Sequence, residues 1–131
     1  MLKTAIVYFC VSILCIVITN VYALFGHGVR SDSMDFMFLY PLLGGTLVFL
    51  ITALVLPCLP KKLHGISRIG YNFYNSGIAS LTSTGMLTGI MEIAGTSSKW
   101  IQYIETAGIV LLIIGIICQV AASLKQIFNN L

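Results

Sequence analysis

Residues Gly70–Gly95 read GYNFYNSGIASLTSTGMLTGIMEIAG, and this stretch decides the predicted fold class of the chain. At about 1.5 Å per residue, a helix of this length crosses a hydrocarbon core of about 30 Å. Its polar residues are Asn72, Asn75, Ser76, Ser80, Thr82, Ser83, Thr84, Thr88 and Glu92. Because lipid offers these groups no hydrogen-bond partners, the stretch predicts a membrane helix that packs against protein on more than one face.

The composition of the whole chain supports a membrane protein. Hydrophobic residues make up 58% of the 131 residues and charged residues only 8%, against roughly 25% charged in a soluble domain. The formal charge of +3 is small and scattered along the chain. It therefore excludes a nucleic-acid-binding protein, which needs a concentrated basic surface.

Three further apolar segments complete a predicted single domain of four transmembrane helices, an all-α bundle with the third helix at its centre. The predicted helices cover residues 4–25, 34–59, 70–95 and 101–124. Ser31, Asp32 or Ser33 is expected to cap the second helix, and Pro41 with Gly44-Gly45 is expected to interrupt it.

The first segment also permits a second interpretation. Lys3, an apolar run and the small-residue pattern Val21-Tyr22-Ala23 are together typical of a cleaved signal peptide. We expect a transmembrane helix because the apolar run is longer than a usual signal core, but the sequence leaves cleavage open.

The basic residues predict the orientation of the bundle. One side of the predicted membrane carries Lys3, Lys61, Lys62, Arg68 and Lys125, whereas the other side carries Arg30 and Lys99. Short cytoplasmic loops are enriched in Lys and Arg, so both termini are expected in the cytoplasm.

Small residues predict where helices approach one another closely. The candidate packing positions are Gly77, Gly85, Gly89, Gly108 and Gly115. The Gly85-xxx-Gly89 pattern is typical of close helix contacts in membranes, and we expect it to serve association between chains. The polar surface of the third helix exceeds what its own bundle needs, which favours a homodimer or a larger membrane complex besides the surrounding lipid bilayer.

The same helix supports an alternative in which its polar residues line a path through the membrane. The candidate path consists of Asn72, Ser76, Ser80, Ser83, Thr84 and Glu92. Hydroxyl and amide groups suit a water-filled route for a polar solute or a cation. This alternative is a small homo-oligomeric transporter or channel.

A second candidate site lies at the predicted outer mouth of the bundle. Its residues are Asn20, His27, Arg30, Glu92 and Glu105. Glu92 follows Arg68 by about 36 Å of helix, which puts it near the outer interface. There it is expected to bond to a loop or to pair with Arg30 or Lys99, in preference to binding a ligand. No paired ligand spacing predicts a metal site.

No motif names a reaction. CxxC, GxSxG, HExxH and Walker sequences are absent, so the sequence predicts no catalytic residues and no cofactor. The function that we expect is that of a non-enzymatic membrane subunit acting through helix contacts, with the transporter as the alternative.

Short sequence patterns resemble a family of small uncharacterised four-helix bacterial membrane proteins. They are GHGV at Gly26–Val29, NSGIASLT at Asn75–Thr82, Gly89, Glu92-Ile93 and Gly95-Thr96. The resemblance covers most of the chain and implies a four-helix architecture in the bacterial inner membrane. It implies no activity.

Overall fold

The computed structural model describes residues 1–26, 28–55 and 68–128, and every regular element in these ranges is helical. The elements are α1 (Leu2–Phe25), α2 (Asp32–Asp35), a π-helix (Tyr40–Leu47), α3 (Val48–Val55), α4 (Arg68–Ile93) and α5 (Lys99–Phe128). Because α2, the π-helix and α3 follow one another, we treat Asp32–Val55 as one second segment. The all-α class and the presence of four helices are confirmed.

Three of these four segments are long and apolar enough to cross a membrane. They are Leu2–Phe25, Asp32–Val55 and Lys99–Lys125. The fourth, α4, has a comparable length, but its amide and hydroxyl side chains lower its hydropathy below that of the others. The most polar helix is therefore also the one that most needs protein neighbours.

The second segment has the cap and the interruption that the sequence predicted, and its first turn begins at Asp32. Ser31 caps α2, since its Oγ accepts a 3.4 Å hydrogen bond from the Met34 N–H. Pro41 lacks a backbone N–H, and the chain adopts the wider π-helix around it before α3 begins. The predicted end of this segment, with Pro57, and the basic residues Lys61 and Lys62 lie outside the described residues.

Helices α4 and α5 form a close antiparallel pair through glycines on both sides. A Cβ atom at Gly77 would lie 2.9 Å from the Gly108 carbonyl oxygen, and one at Gly115 would lie 3.0 Å from the Gly70 carbonyl oxygen. The seven-residue spacing on each helix returns these glycines to the same contact face. The backbones approach because neither side presents a side chain.

The second segment packs against α4 through two methionines. Met34 and Met37 are each only 1% exposed, and they occupy the space that a side chain at Gly89 or Gly85 would fill. Thr19 of α1 completes this contact by donating a 3.0 Å hydrogen bond to the Met34 carbonyl. The Gly85-xxx-Gly89 pattern is thus occupied by the chain's own second segment, and not by another copy as expected.

Candidate functional site

The predicted polar path does not converge within one chain. On α4, Asn72, Ser76 and Ser83 are exposed, Ser80 is half-buried and Thr84 is buried. Glu92 lies about 180° around the helix from Ser83, at 100° per residue. The residues of the candidate path therefore point in different directions.

Three hydroxyl groups of this path, those of Ser80, Ser83 and Thr84, donate to backbone carbonyls. Ser83 Oγ donates to the Ala79 carbonyl at 2.9 Å, and Thr84 Oγ1 donates to the Ser80 carbonyl at 2.9 Å. Ser80 Oγ donates instead to the Ile104 carbonyl of α5, at 3.1 Å. Such bonds let Ser and Thr lie in a membrane helix without water.

The exposed members of the path form a stripe with Ala79. We call Asn72, Ser76, Ala79 and Ser83 the outer face of α4; all four residues are exposed. Their spacing of four, three and four residues keeps them on one side of the helix. The glycine contact with α5 lies to one side of this stripe. Asn75, which accepts a 2.7 Å hydrogen bond from Tyr8 of α1, lies to the other. The outer face therefore lies between the lines of contact with α1 and α5.

Glu92 has a structural role at the end of α4. The hydroxyls of Ser31 and Ser33 both donate to its carboxylate, Ser31 to Oε2 and Ser33 to Oε1 at 2.9 Å. Ser31 is 5% exposed and also caps α2. Hydrogen bonds to a charged acceptor are stronger than neutral ones, so the carboxylate ties α2 to α4.

The other outer-mouth residues are divided among separate places. Arg30 pairs with Asp35 at 3.1 Å, instead of with Glu92. Asn20 donates to the Ile16 carbonyl at 2.8 Å and borders, with Arg30, an open cavity of about 510 Å³. Glu105 borders a different cavity. His27 lies outside the described residues. The described residues of the outer mouth thus do not form a single site.

The cavity beside Glu105 lies between the second segment, α4 and α5 and has a volume of about 470 Å³. Its polar lining includes Asp32, Ser33, Thr84, Thr88 and Glu105. Within residues 1–26, 28–55 and 68–128, no group of three or more His, Cys, Asp or Glu residues is arranged to hold a metal ion. Thr84 is the path residue that this cavity reaches.

An aromatic cluster that was not predicted from the sequence joins three helical segments. Phe49 is its centre, with ring centroids of Tyr8, Tyr71 and Tyr74 at 5.6, 5.5 and 5.8 Å. Tyr74 donates to the Gly44 carbonyl at 2.7 Å, and Tyr71 shares a 3.0 Å hydrogen bond with Thr4. The three-residue spacing of Tyr71 and Tyr74 on one helix face was the available signal.

Beside this cluster lies a smaller cavity of about 210 Å³, between α3 and α5. Its walls are mostly apolar, and Gln119 of α5 is one of its few polar residues. The Oε1 atom of Gln119 is buried and accepts no hydrogen bond from any residue that the structure describes. This cavity was not anticipated from the sequence.

Comparisons with known proteins do not assign the chain to a family. No protein-family model, curated protein or solved structure matches it. The resemblance to small four-helix bacterial membrane proteins therefore stays a prediction. What the protein does has to be inferred from the geometry of its own residues.

Proposed function

We propose that this chain is a non-enzymatic membrane subunit that acts through helix contacts, first of all with a second copy of itself. The observation that carries the proposal is the exposed outer face of α4, with Asn72, Ser76, Ala79 and Ser83 on one stripe. In lipid this stripe would face hydrocarbon with the Asn72 amide and the Ser76 hydroxyl, while the Ser83 hydroxyl already donates to the Ala79 carbonyl. A helix of another chain would cover them.

The energetics of membrane helices favour such a contact. Small side chains let two backbones approach closely, and hydrogen bonds between helices contribute about 0.6–2 kcal/mol each. Asn72 is the strongest of these groups because its amide has two donors and an acceptor. Ser76 and Ala79 beside it add little bulk to the contact.

The buried glycines of α4 already contact other parts of the same chain, which leaves the outer face as the surface for a second chain. Gly77 lies against α5, while Gly85 and Gly89 lie against Met37 and Met34 of the same chain. These glycines are committed to the fold of one chain. The outer face is the remaining small and polar surface of α4, and a substitution there tests assembly without disturbing the bundle.

We further propose a bacterial inner-membrane location with both termini in the cytoplasm. Three segments have the length and hydropathy to cross a membrane. Lys3, Arg68 and Lys125 begin or end helices on the proposed inner side, against Arg30 and Lys99 on the other. Reporter fusions at residue 1 and after residue 97 test the orientation. Opposite compartments for the two reporters support it, and the same compartment contradicts it.

Disulfide crosslinking in native membranes tests the assembly. In a background with the native cysteines replaced by serine or alanine, Ser76→Cys and Ser83→Cys are expected to form a dimer on oxidation. Ile113→Cys is the matched control, since this residue is exposed on α5 and lies outside the outer face. A dimer at positions 76 and 83, but not 113, supports the proposal.

Other outcomes of the same experiment are equally informative. A crosslinked band of another mass would indicate that a different membrane protein, and not a second copy, contacts the outer face. The chain would then be a subunit of a larger membrane complex. Absence of any crosslinked band at positions 72, 76, 79 and 83 would contradict helix contact through the outer face.

The transporter alternative requires a path between two copies, because the candidate residues are exposed on the outside of one chain. A water-soluble thiol reagent distinguishes the two functions on the same cysteine variants. Fast labelling at positions 72, 76 and 83 would indicate a water-filled path between copies. Protection at all three positions is expected for a dry helix contact.

A further inference from the structure

The cavity of about 210 Å³ is formed where two helices fail to meet. Its lining includes Val48, Phe49, Thr52, Tyr74, Gln119 and Val120. Within the described residues, α3 and α5 do not pack directly against each other, so a space remains between them over α4. A cavity of about 150 Å³ holds a benzene molecule. The space is therefore large enough for a single aromatic ring.

Its aromatic walls are held in place. Phe49 is 5% exposed, and its ring meets Tyr74 edge to face at 5.8 Å. The Tyr74 hydroxyl is fixed by its 2.7 Å hydrogen bond to the Gly44 carbonyl. A flat ring entering the cavity would meet preorganised faces and edges, which is the geometry that aromatic pairs prefer.

The polar group of the cavity needs a partner. Gln119 lines the space, and its Oε1 atom is buried without a hydrogen bond from the described residues. A buried acceptor in this state costs about 1–3 kcal/mol. The terminal torsion of glutamine is broad and roughly two-fold, so rotation about it exchanges the positions of the amide oxygen and the amino group. A hydroxyl group satisfies either end of the amide, because it donates to Oε1 or accepts from Nε2.

We propose that this cavity binds a phenol, that is, a single aromatic ring with one hydroxyl group hydrogen-bonded to the Gln119 amide. The ring fills the space beside Phe49 and Tyr74. The site is built from one chain and lies on the other side of α4 from the outer face. It is therefore independent of the proposed assembly, and either proposal can fail alone.

Photolabelling of the purified full-length chain in lipid nanodiscs tests the site. The probe is 3-(3-(trifluoromethyl)diazirin-3-yl)phenol, a single-ring phenol that carries a photoreactive diazirine, and the phenyl diazirine without the hydroxyl is the matched compound. Adducts are mapped by peptide mass spectrometry and normalised to labelling at lipid-exposed Ile13 of α1. We expect adducts at Val48, Thr52 and Val120, enriched about three- to tenfold for the phenol probe, as one hydrogen bond provides. Excess unlabelled phenol should compete.

Two variants in which glutamine is replaced by leucine test whether Gln119 forms the hydrogen bond. Gln119→Leu should abolish the preference for the phenol probe, whereas Gln102→Leu, at an exposed position of α5 outside the cavity, should retain it. Thermal unfolding checks that both variants are folded. Equal normalised labelling by the two probes in the unaltered chain would overturn the proposal without any variant. A preference that survives Gln119→Leu would overturn it as well.

Discussion

The Tyr74 hydroxyl donates a 2.7 Å hydrogen bond to the Gly44 carbonyl, and this bond joins α4 to the π-helix of the second segment. The acceptor lies in the part of the chain that Pro41 widens. Wide helical turns are frequent at functional sites, and here the turn fixes a wall of the small cavity. The irregular turn and a wall of the small cavity therefore meet at the Tyr74 side chain.

Tyr74→Phe should lower the stability of the bundle. It removes this bond and leaves the Gly44 carbonyl without that donor, at a cost of about 0.5–1.5 kcal/mol. Thermal unfolding in detergent micelles measures the change. Tyr103→Phe is the control, since Tyr103 is exposed near the start of α5. Equal stability of the two variants would contradict a structural role for the Tyr74 hydroxyl.

Gly77→Ala should separate α4 from α5. The added Cβ would lie 2.8 Å from the Leu112 backbone nitrogen, and backbone cannot move aside as a flexible side chain can. Overpacking of this kind costs about 1–3 kcal/mol, read from the midpoint of thermal unfolding. Gly44→Ala is the matched control, because its Cβ would meet only the Ile78 side chain, at 3.4 Å. Equal stability of Gly77→Ala and Gly44→Ala would contradict a close backbone contact at Gly77.

Glu92→Leu should release α2 from the end of α4. The substitution leaves the hydroxyls of Ser31 and Ser33 without the carboxylate to which they donate. We expect faster hydrogen exchange of backbone amides between residues 31 and 35, by about fivefold or more for a loss of about 1 kcal/mol. Gln102→Leu, at an exposed position of α5 away from α2, should leave that exchange unchanged. Unchanged hydrogen exchange in both variants would contradict a structural role for Glu92.

Ser76→Phe should weaken association while leaving the single chain folded. The outer face is exposed in one chain, so a larger side chain meets space there, but it prevents close approach of a second helix. The dimerisation constant in lipid bilayers, measured by energy transfer between labelled chains, should fall about tenfold for a loss of about 1.4 kcal/mol. Ile113→Phe is the control. A dimerisation constant that Ser76→Phe leaves unchanged would locate the interface elsewhere.

Several properties of α4 were predicted from the sequence. The polar composition of Gly70–Gly95 predicted a helix surrounded by other helices, and the sequence placed Glu92 at the far end from Arg68. The sequence favoured another chain as the partner of Gly85 and Gly89, and this expectation was wrong. Gly85 and Gly89 contact Met37 and Met34 of the same chain.

The aromatic cluster could not be predicted from the pattern of polar residues. Tyr8, Phe49 and Tyr74 come from three separate segments, and none of them carries a signal that names the other two. Their contact depends on how α1 and the second segment are rotated about their axes. The small cavity beside them depends on the same rotations and on the gap between α3 and α5.

Taken alone, the sequence determined the all-α class, the number of helical segments and the exceptional polarity of the third long helix. Length and hydropathy are local properties, so they are readable residue by residue. Only the tertiary structure decided which groups meet: Glu92 with Ser31 and Ser33, Tyr74 with Gly44, and Gln119 with an unfilled cavity. Such contacts follow from the crossing angles and rotations of packed helices, which every neighbouring side chain helps to set.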